Sequence, residues 1–243
     1  MSPYEVALQC DAYLREIADQ HDLCTACLKI VSRQQDYVEN VMVLMHQKNG
    51  FDPEKVAKIT PAFIRELMAS AGKTESDGFS ILCRSTLVAL CGGLENFIKD
   101  YVAANILSDP AHCRNLNGRS FKVPASSLVL STDEERVAFV VDELYRDEGT
   151  KTGHTNLFLR LLEYVDQRRN LDTVIEMRTD LDEAYVVRNA IVHNGGRIDQ
   201  RLASKVPRFA PEVGNTIQMN EQTFRRYRNA LLKFAGQIIS AEL

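Results

Sequence analysis

The chain has 243 residues, 45% apolar and 26% charged, enough for one or two globular domains with an ample core and unlike a disordered polymer. With 29 Lys and Arg against 33 Asp and Glu the net charge is -4, so the molecule is no bulk polycation and any phosphate site must be local. The sequence contains no uninterrupted apolar run of about 18 residues, MSPYEVALQCD lacks the flank and core of a secretory signal, and six scattered cysteines are too sparse for a disulfide scaffold, so we expect a reduced, cytoplasmic protein without membrane association.

Ser2, Pro3, Tyr4 and Glu5 make a capping box with proline at the first helical position, and Val6, Cys10, Tyr13, Leu14 and Ile17 continue as an apolar stripe. A second stripe runs from Cys24 to Met45 and stops at Asn49 and Gly50; the two stripes form a hairpin or one broken helix. Asp52-Pro53 and Thr60-Pro61 each read as a cap followed by proline, the latter opening a helix that ends at Gly72, with a polar loop over 73–78. The strongest 3.6-residue periodicity spans Phe79 to Ile106 and predicts the central core helix.

Residues 108–131 read as irregular. Thr132 and Glu135 cap a helix through Tyr145, and another helix is expected over 155–168. Asp180 opens a helix through Ile191 that Gly195 and Gly196 end just past His193. After a loop containing Pro207 and Pro211, Asn220 caps the last helix. The fold class is therefore all-α, with an N-terminal helical region over 1–75 and a main helical domain over 76–243.

At the end of the helix before the paired glycines stands Arg188-Asn189-Ala190-Ile191-Val192-His193-Asn194. Arginine offers a permanent charge with a planar donor fork suited to phosphate, and histidine exchanges protons near neutrality. Asn189 and His193 are four apart and share a helix face, whereas Arg188 lies about 140° around the axis from His193, so the arginine must reach or the last turn must deform.

RNAIVH resembles the R-x4-6-H motif of the HEPN superfamily, in which a polar residue commonly follows the arginine. The long helix with an internal acid, Glu95 in LVALCGGLENFIKDYV, and the closing helix over 221–241 are similar to the antiparallel HEPN bundle of the RiboL-PSP-like kind, over roughly 79–243. The resemblance implies a metal-independent endoribonuclease that cuts RNA by 2'-hydroxyl attack, leaving a cyclic phosphate and a 5'-hydroxyl. His193 would be general base or acid, Arg188 would stabilise phosphate charge, and Asn189 would align one of them.

Because the motif brings one histidine per chain, a homodimer with a composite active site is expected. No cofactor and no metal are expected. A toxin, defence or stress-response role is the setting the resemblance suggests. Some HEPN toxins carry tyrosine two residues after the histidine; here that position is Gly195, and any antitoxin or regulatory partner would be a separate protein. The reading from another class is a non-catalytic HEPN-like adaptor binding a nucleotide or a partner protein.

Glu95 either orients Arg188 through a charge-assisted hydrogen bond or is structural, and Asn194 either supports the site or terminates the helix. Cys24-Thr25-Ala26-Cys27 reads as small residues on a helix face, since neither a fourth metal ligand nor a βαβ context accompanies it. His21, His46, His112 and His154 read as structural or exposed. The basic residues over 197–208 and 225–228 bind RNA phosphates or simply coat exposed helix faces.

Overall fold

A computed structural model describes residues 1–49, 53–116, 132–149, 153–165 and 177–240. Within them the chain forms α1 Pro3–Arg33, α2 Gln35–Lys48, α3 Pro53–Ser76, α4 Ser80–Ser108, α5 Asp133–Gly149, α6 His154–Glu163, α7 Arg178–His193, α8 Gln200–Lys205 and α9 Glu221–Ser240. Short 3-10 helices occupy Pro110–Leu116 and Pro207–Glu212. No strand occurs among the described residues, where one isolated bridge pairs Arg197 with Thr216; the fold is all-α.

The caps behave as their chemistry requires. Ser2 N donates to Glu5 Oε2 at 2.8 Å and Glu5 N to Ser2 Oγ at 3.3 Å, satisfying two N-terminal donors of α1 reciprocally. Thr132 and Glu135 repeat the pattern at α5, with distances of 2.9 and 3.3 Å. Asn220 Oδ1 accepts from Thr223 N at 2.8 Å and so starts α9.

Several boundaries differ from expectation. The first two stripes form one broken helix: α1 and α2 are separated at Gln34, whose N–H still reaches Ile30 O at 2.9 Å. Thr60-Pro61 does not open a helix, because α3 already begins at Pro53 and runs through it; an interior proline removes one backbone bond, and this helix continues past the loss. Nor is 73–78 a loop. The helix continues to Ser76 and closes with two bonds of a Schellman motif, Phe79 N to Thr74 O and Gly78 N to Glu75 O, both 2.9 Å, with Gly78 at φ 64°.

Helix α7 begins at Arg178, two residues before the expected cap, which leaves Asp180 in the first turn where its charge favours the helix N-terminus. The expected loop before α9 contains α8, capped by Asp199, and a 3-10 turn. Of the expected helix over 155–168, His154–Glu163 is present; its last three positions, like most of 108–131, lie outside the described residues.

The chain makes two compact units, one from Met1–Ile17, Leu87–Ile217 and Arg225–Leu243, the other from Ala18–Thr86 and Gln218–Phe224. Each draws on sequence from both sides of residue 75. By length and composition α4 is apolar enough to cross a membrane. Its Leu87, Leu90, Leu94, Phe97 and Tyr101 are instead buried in the core of the first unit, together with Phe158, Tyr185 and Phe234. Phe158 sits edge-on to Tyr185, with centroids 5.3 Å apart. In the second unit, His21 is buried, its Nδ1 3.1 Å from Thr86 Oγ1 and its ring 4.2 Å from that of Phe224, so it is a core residue.

Helix α4 carries adjacent glycines with opposite requirements. A Cβ on Gly93 would stand 2.8 Å from Leu14 Cδ2 and 3.4 Å from the Tyr13 ring, while one on Gly92 would meet nothing within 4 Å. Gly92→Ala should therefore stabilise the fold by about 0.5–1 kcal/mol through helix propensity. Gly93→Ala should lose that gain to the clash with buried Leu14, and melting temperatures of the two variants are expected to move in opposite directions.

Candidate functional site: a groove along the last turns of α7

Helix α7 ends where the motif requires. Asn194 is its C-cap, its N–H reaching Ala190 O at 3.0 Å, and Gly195 and Gly196 follow at φ 60° and 76°, a left-handed pair that turns the chain away sharply. No heavy atom lies within 4 Å of a Cβ placed on Gly195, so the space beside the final turn is open. Asp182, Val186, Asn189 and His193, spaced along one face, line a groove of about 770 Å³ whose other walls come from Gly153 and His154 and from α8.

His193 is exposed in this groove and makes no hydrogen bond to any described residue. Asn189 is half-buried beside it. Asn194 also borders the groove, but its amide Nδ2 donates to Asp199 Oδ2 at 2.6 Å, while Asp199 Oδ1 accepts from Leu202 N at 2.7 Å. Asn194 thus ties the end of α7 to the start of α8. These bonds hold the Asp199 carboxyl below its ordinary pKa, the Leu202 N–H contributing most.

Arg188 does not line the groove. Its side chain is 20% exposed and turns toward α4, where Nη2 stands 3.6 Å from Glu95 Oε2. Its Nη1 donates to Asn189 Oδ1 at 2.9 Å, and its buried Nε has no hydrogen-bond partner among the described residues. The structure therefore gathers Asn189, Asn194 and His193 at the groove, pairs Arg188 with Glu95 on the adjacent flank, and links the two sets through Asn189. Because the arginine occupies Oδ1, the asparagine retains its Nδ2 donors for another acceptor.

Around the pair lies a buried polar layer. Tyr145 hydrogen-bonds to Glu95, and burial together with that carboxylate pushes its hydroxyl pKa up. Tyr185 donates to Cys91 O at 2.9 Å, and burial pushes both its hydroxyl and the Cys91 thiol up. These groups are structural donors, inert as acids near neutrality. Glu95→Ala should cost about 2–3 kcal/mol, between the values for exposed and buried pairs, because it strands a largely buried guanidinium. In a denaturation cycle, Glu95→Leu with Arg188→Met should cost less than the two single changes added together.

Sequence reasoning missed the remainder of the groove. His154, the first residue of α6, stacks on Tyr185 with centroids 4.3 Å apart and planes at 10°. Asp182 Oδ1 accepts from Thr155 N at 2.8 Å and pins that helix start, while a Cβ on Gly153 would press to 3.2 Å against the same oxygen. Arg201 and Lys205 of α8 are exposed on the groove wall and form no ion pair with a described residue. No spacing in the sequence connects these residues to the motif, since the walls are separate helices.

Other candidates resolve differently. Arg208 and Arg226 both pair with Glu183 Oε1, at 2.6 and 2.9 Å, and Arg226 also reaches Asp180 at 3.1 Å, so this positive charge is internally neutralised. Cys24 and Cys27 are exposed on α1. Among the described residues, no group of three or more His, Cys, Asp or Glu is placed to hold a metal ion. The His46 side chain lies outside the described residues. Compared with known families, with curated proteins and with solved structures, the chain matches none of them.

Proposed function

We propose that the protein is a metal-independent endoribonuclease of HEPN type, acting on RNA in toxin, defence or stress control. The observation that carries the reading is one groove holding an exposed imidazole at a glycine-bounded helix end, an amide with free donors and two exposed cations on the facing helix. His193 exchanges protons with the ribose or the leaving oxygen, Asn189 donates to a phosphate oxygen, and Arg201 and Lys205 offset the backbone charge. Arg188, engaged by Glu95, acts as a positioning residue that fixes the Asn189 amide.

The homodimer belongs to this proposal through the family resemblance. Sedimentation of a fully active monomer would remove it. A second reading, a non-catalytic adaptor, draws support from the same arginine: a guanidinium held by Glu95 and turned from the groove suits a structural role.

Incubating purified protein with mixed RNA in EDTA separates the two. Fragments ending in cyclic phosphate and 5'-hydroxyl, produced by wild type and lost in His193→Ala, are the expected result. Intact RNA with wild type supports the adaptor, and cleavage that disappears only on chelation refutes the metal-free mechanism.

A further inference from the structure

We propose that His154 is the second proton-transfer group of the groove, so that one chain carries both the base and the acid for 2'-hydroxyl attack. The inference rests on the nuclease reading and deepens it. His154 and His193 line the same groove, and neither ring is hydrogen-bonded to a described residue. The ring of His154 is held against buried Tyr185, whose hydroxyl is fixed on Cys91 O, so its position is set by a rigid platform.

Tyr185, Asn189 and His193 follow one another at intervals of four, so Asn189 stands about 6 Å along the axis from each of the other two, about 12 Å in all. An in-line displacement flanked by two imidazole nitrogens spans roughly 9 Å, counting a hydrogen bond of about 2.8 Å at each end. Side chains on a helix tilt toward its N-terminus, which carries the His193 ring back toward Asn189 and shortens that span. A phosphate seated on the Asn189 amide therefore has one imidazole toward each side.

The surroundings of His154 suit it to accept a proton. Tyr185 and Asp182 of α7 lie beside it, the charges of Arg188 on α7 and Lys205 on α8 act on it from further off, and Glu148 of α5 is engaged by the Tyr164 hydroxyl at 3.1 Å. Burial pulls its pKa down to about 4, Arg188 and Lys205 add to the fall, and Asp182 opposes it. The ring is thus neutral near pH 7, and the negative charge of a bound phosphodiester raises its basicity toward the useful range.

In the reaction His154 takes the 2'-hydroxyl proton as O2' bonds to phosphorus. The bond from phosphorus to O5' breaks, and protonated His193 gives a proton to O5'. The products are the cyclic phosphate and the 5'-hydroxyl, and water returns the proton from His154 to His193.

His154→Phe keeps an aromatic ring on Tyr185 without a proton acceptor, and His154→Gln is a second, smaller test. In EDTA, each variant, at equal folded content, is expected to lower kcat on RNA about 10²–10⁴-fold with KM unchanged and to erase the acidic limb of the pH profile. Full rates for both beside an inactive His193→Ala overturn the inference and leave the nuclease standing; intact RNA with wild type overturns both. Mixing inactive His154→Phe with inactive His193→Ala restores nothing if both groups act within one chain, and recovery of activity overturns the assignment. In imidazole NMR, adenosine 2',3'-cyclic phosphate should shift both ring signals; a shift of His193 alone contradicts the shared site.

Discussion

His193→Ala is expected to cleave RNA about 10²–10⁴-fold more slowly than wild type at neutral pH while unfolding at nearly the same temperature. The two halves of this expectation have separate causes. His193 is exposed and makes no hydrogen bond to a described residue, so its removal opens no cavity and strands no polar group. It sits exposed in the last turn of α7, outside the buried core. In the groove, by contrast, it is the imidazole that the proposed reaction uses to move a proton. Arg188→Ala should behave differently, lowering stability and activity together, since it strands Glu95 and frees the Asn189 amide at once. Stopped time courses at matched folded fraction separate the two variants.

The helices were legible because their signals are local. A capping box needs four consecutive residues, and those at Ser2 and Thr132 specify their own hydrogen bonds. The apolar stripe of α4 is equally self-contained. The end of α3 is not legible in composition, for a related reason. Residues 73–78 are polar, and polarity says only that a segment faces water; the stop is made by a left-handed Gly78 closing bonds onto Thr74 and Glu75. A solvated helix and a loop share that composition.

The candidate site was half legible. Helix periodicity puts Asn189 and His193 on one face and Arg188 off it, and the structure keeps that separation, with the guanidinium turned to α4 rather than drawn into the groove. What faces Asn189 across the groove depends on tertiary placement: His154 stands 39 positions before His193 and Lys205 follows it by 12, with no periodic relation between them. An isolated histidine at a helix start reads as surface until Tyr185 is found beneath it.

Acid should destabilise the protein in a window that belongs to His154. Its pKa is about 4 in the folded chain against an ordinary 6.5, the fall caused first by burial and then by Arg188 and Lys205. Above pH 6.5 the ring is neutral in both folded and unfolded chains and exacts no penalty. As pH falls toward 4, the unfolded chain takes up a proton that the folded chain refuses, so stability declines; below 4 both are protonated and the loss levels off. At 1.36 kcal/mol per pKa unit the total loss is about 3 kcal/mol. Denaturation midpoints measured between pH 7 and pH 4 should fall more steeply for wild type than for His154→Phe, which has no ring proton to bind. A phosphate ester bound in the groove should reduce the wild-type slope, because its negative charge favours the imidazolium in the folded state. Identical slopes for the two proteins would mean that the ring titrates as freely in the fold as in water, and its neutrality in the groove could then not be assumed.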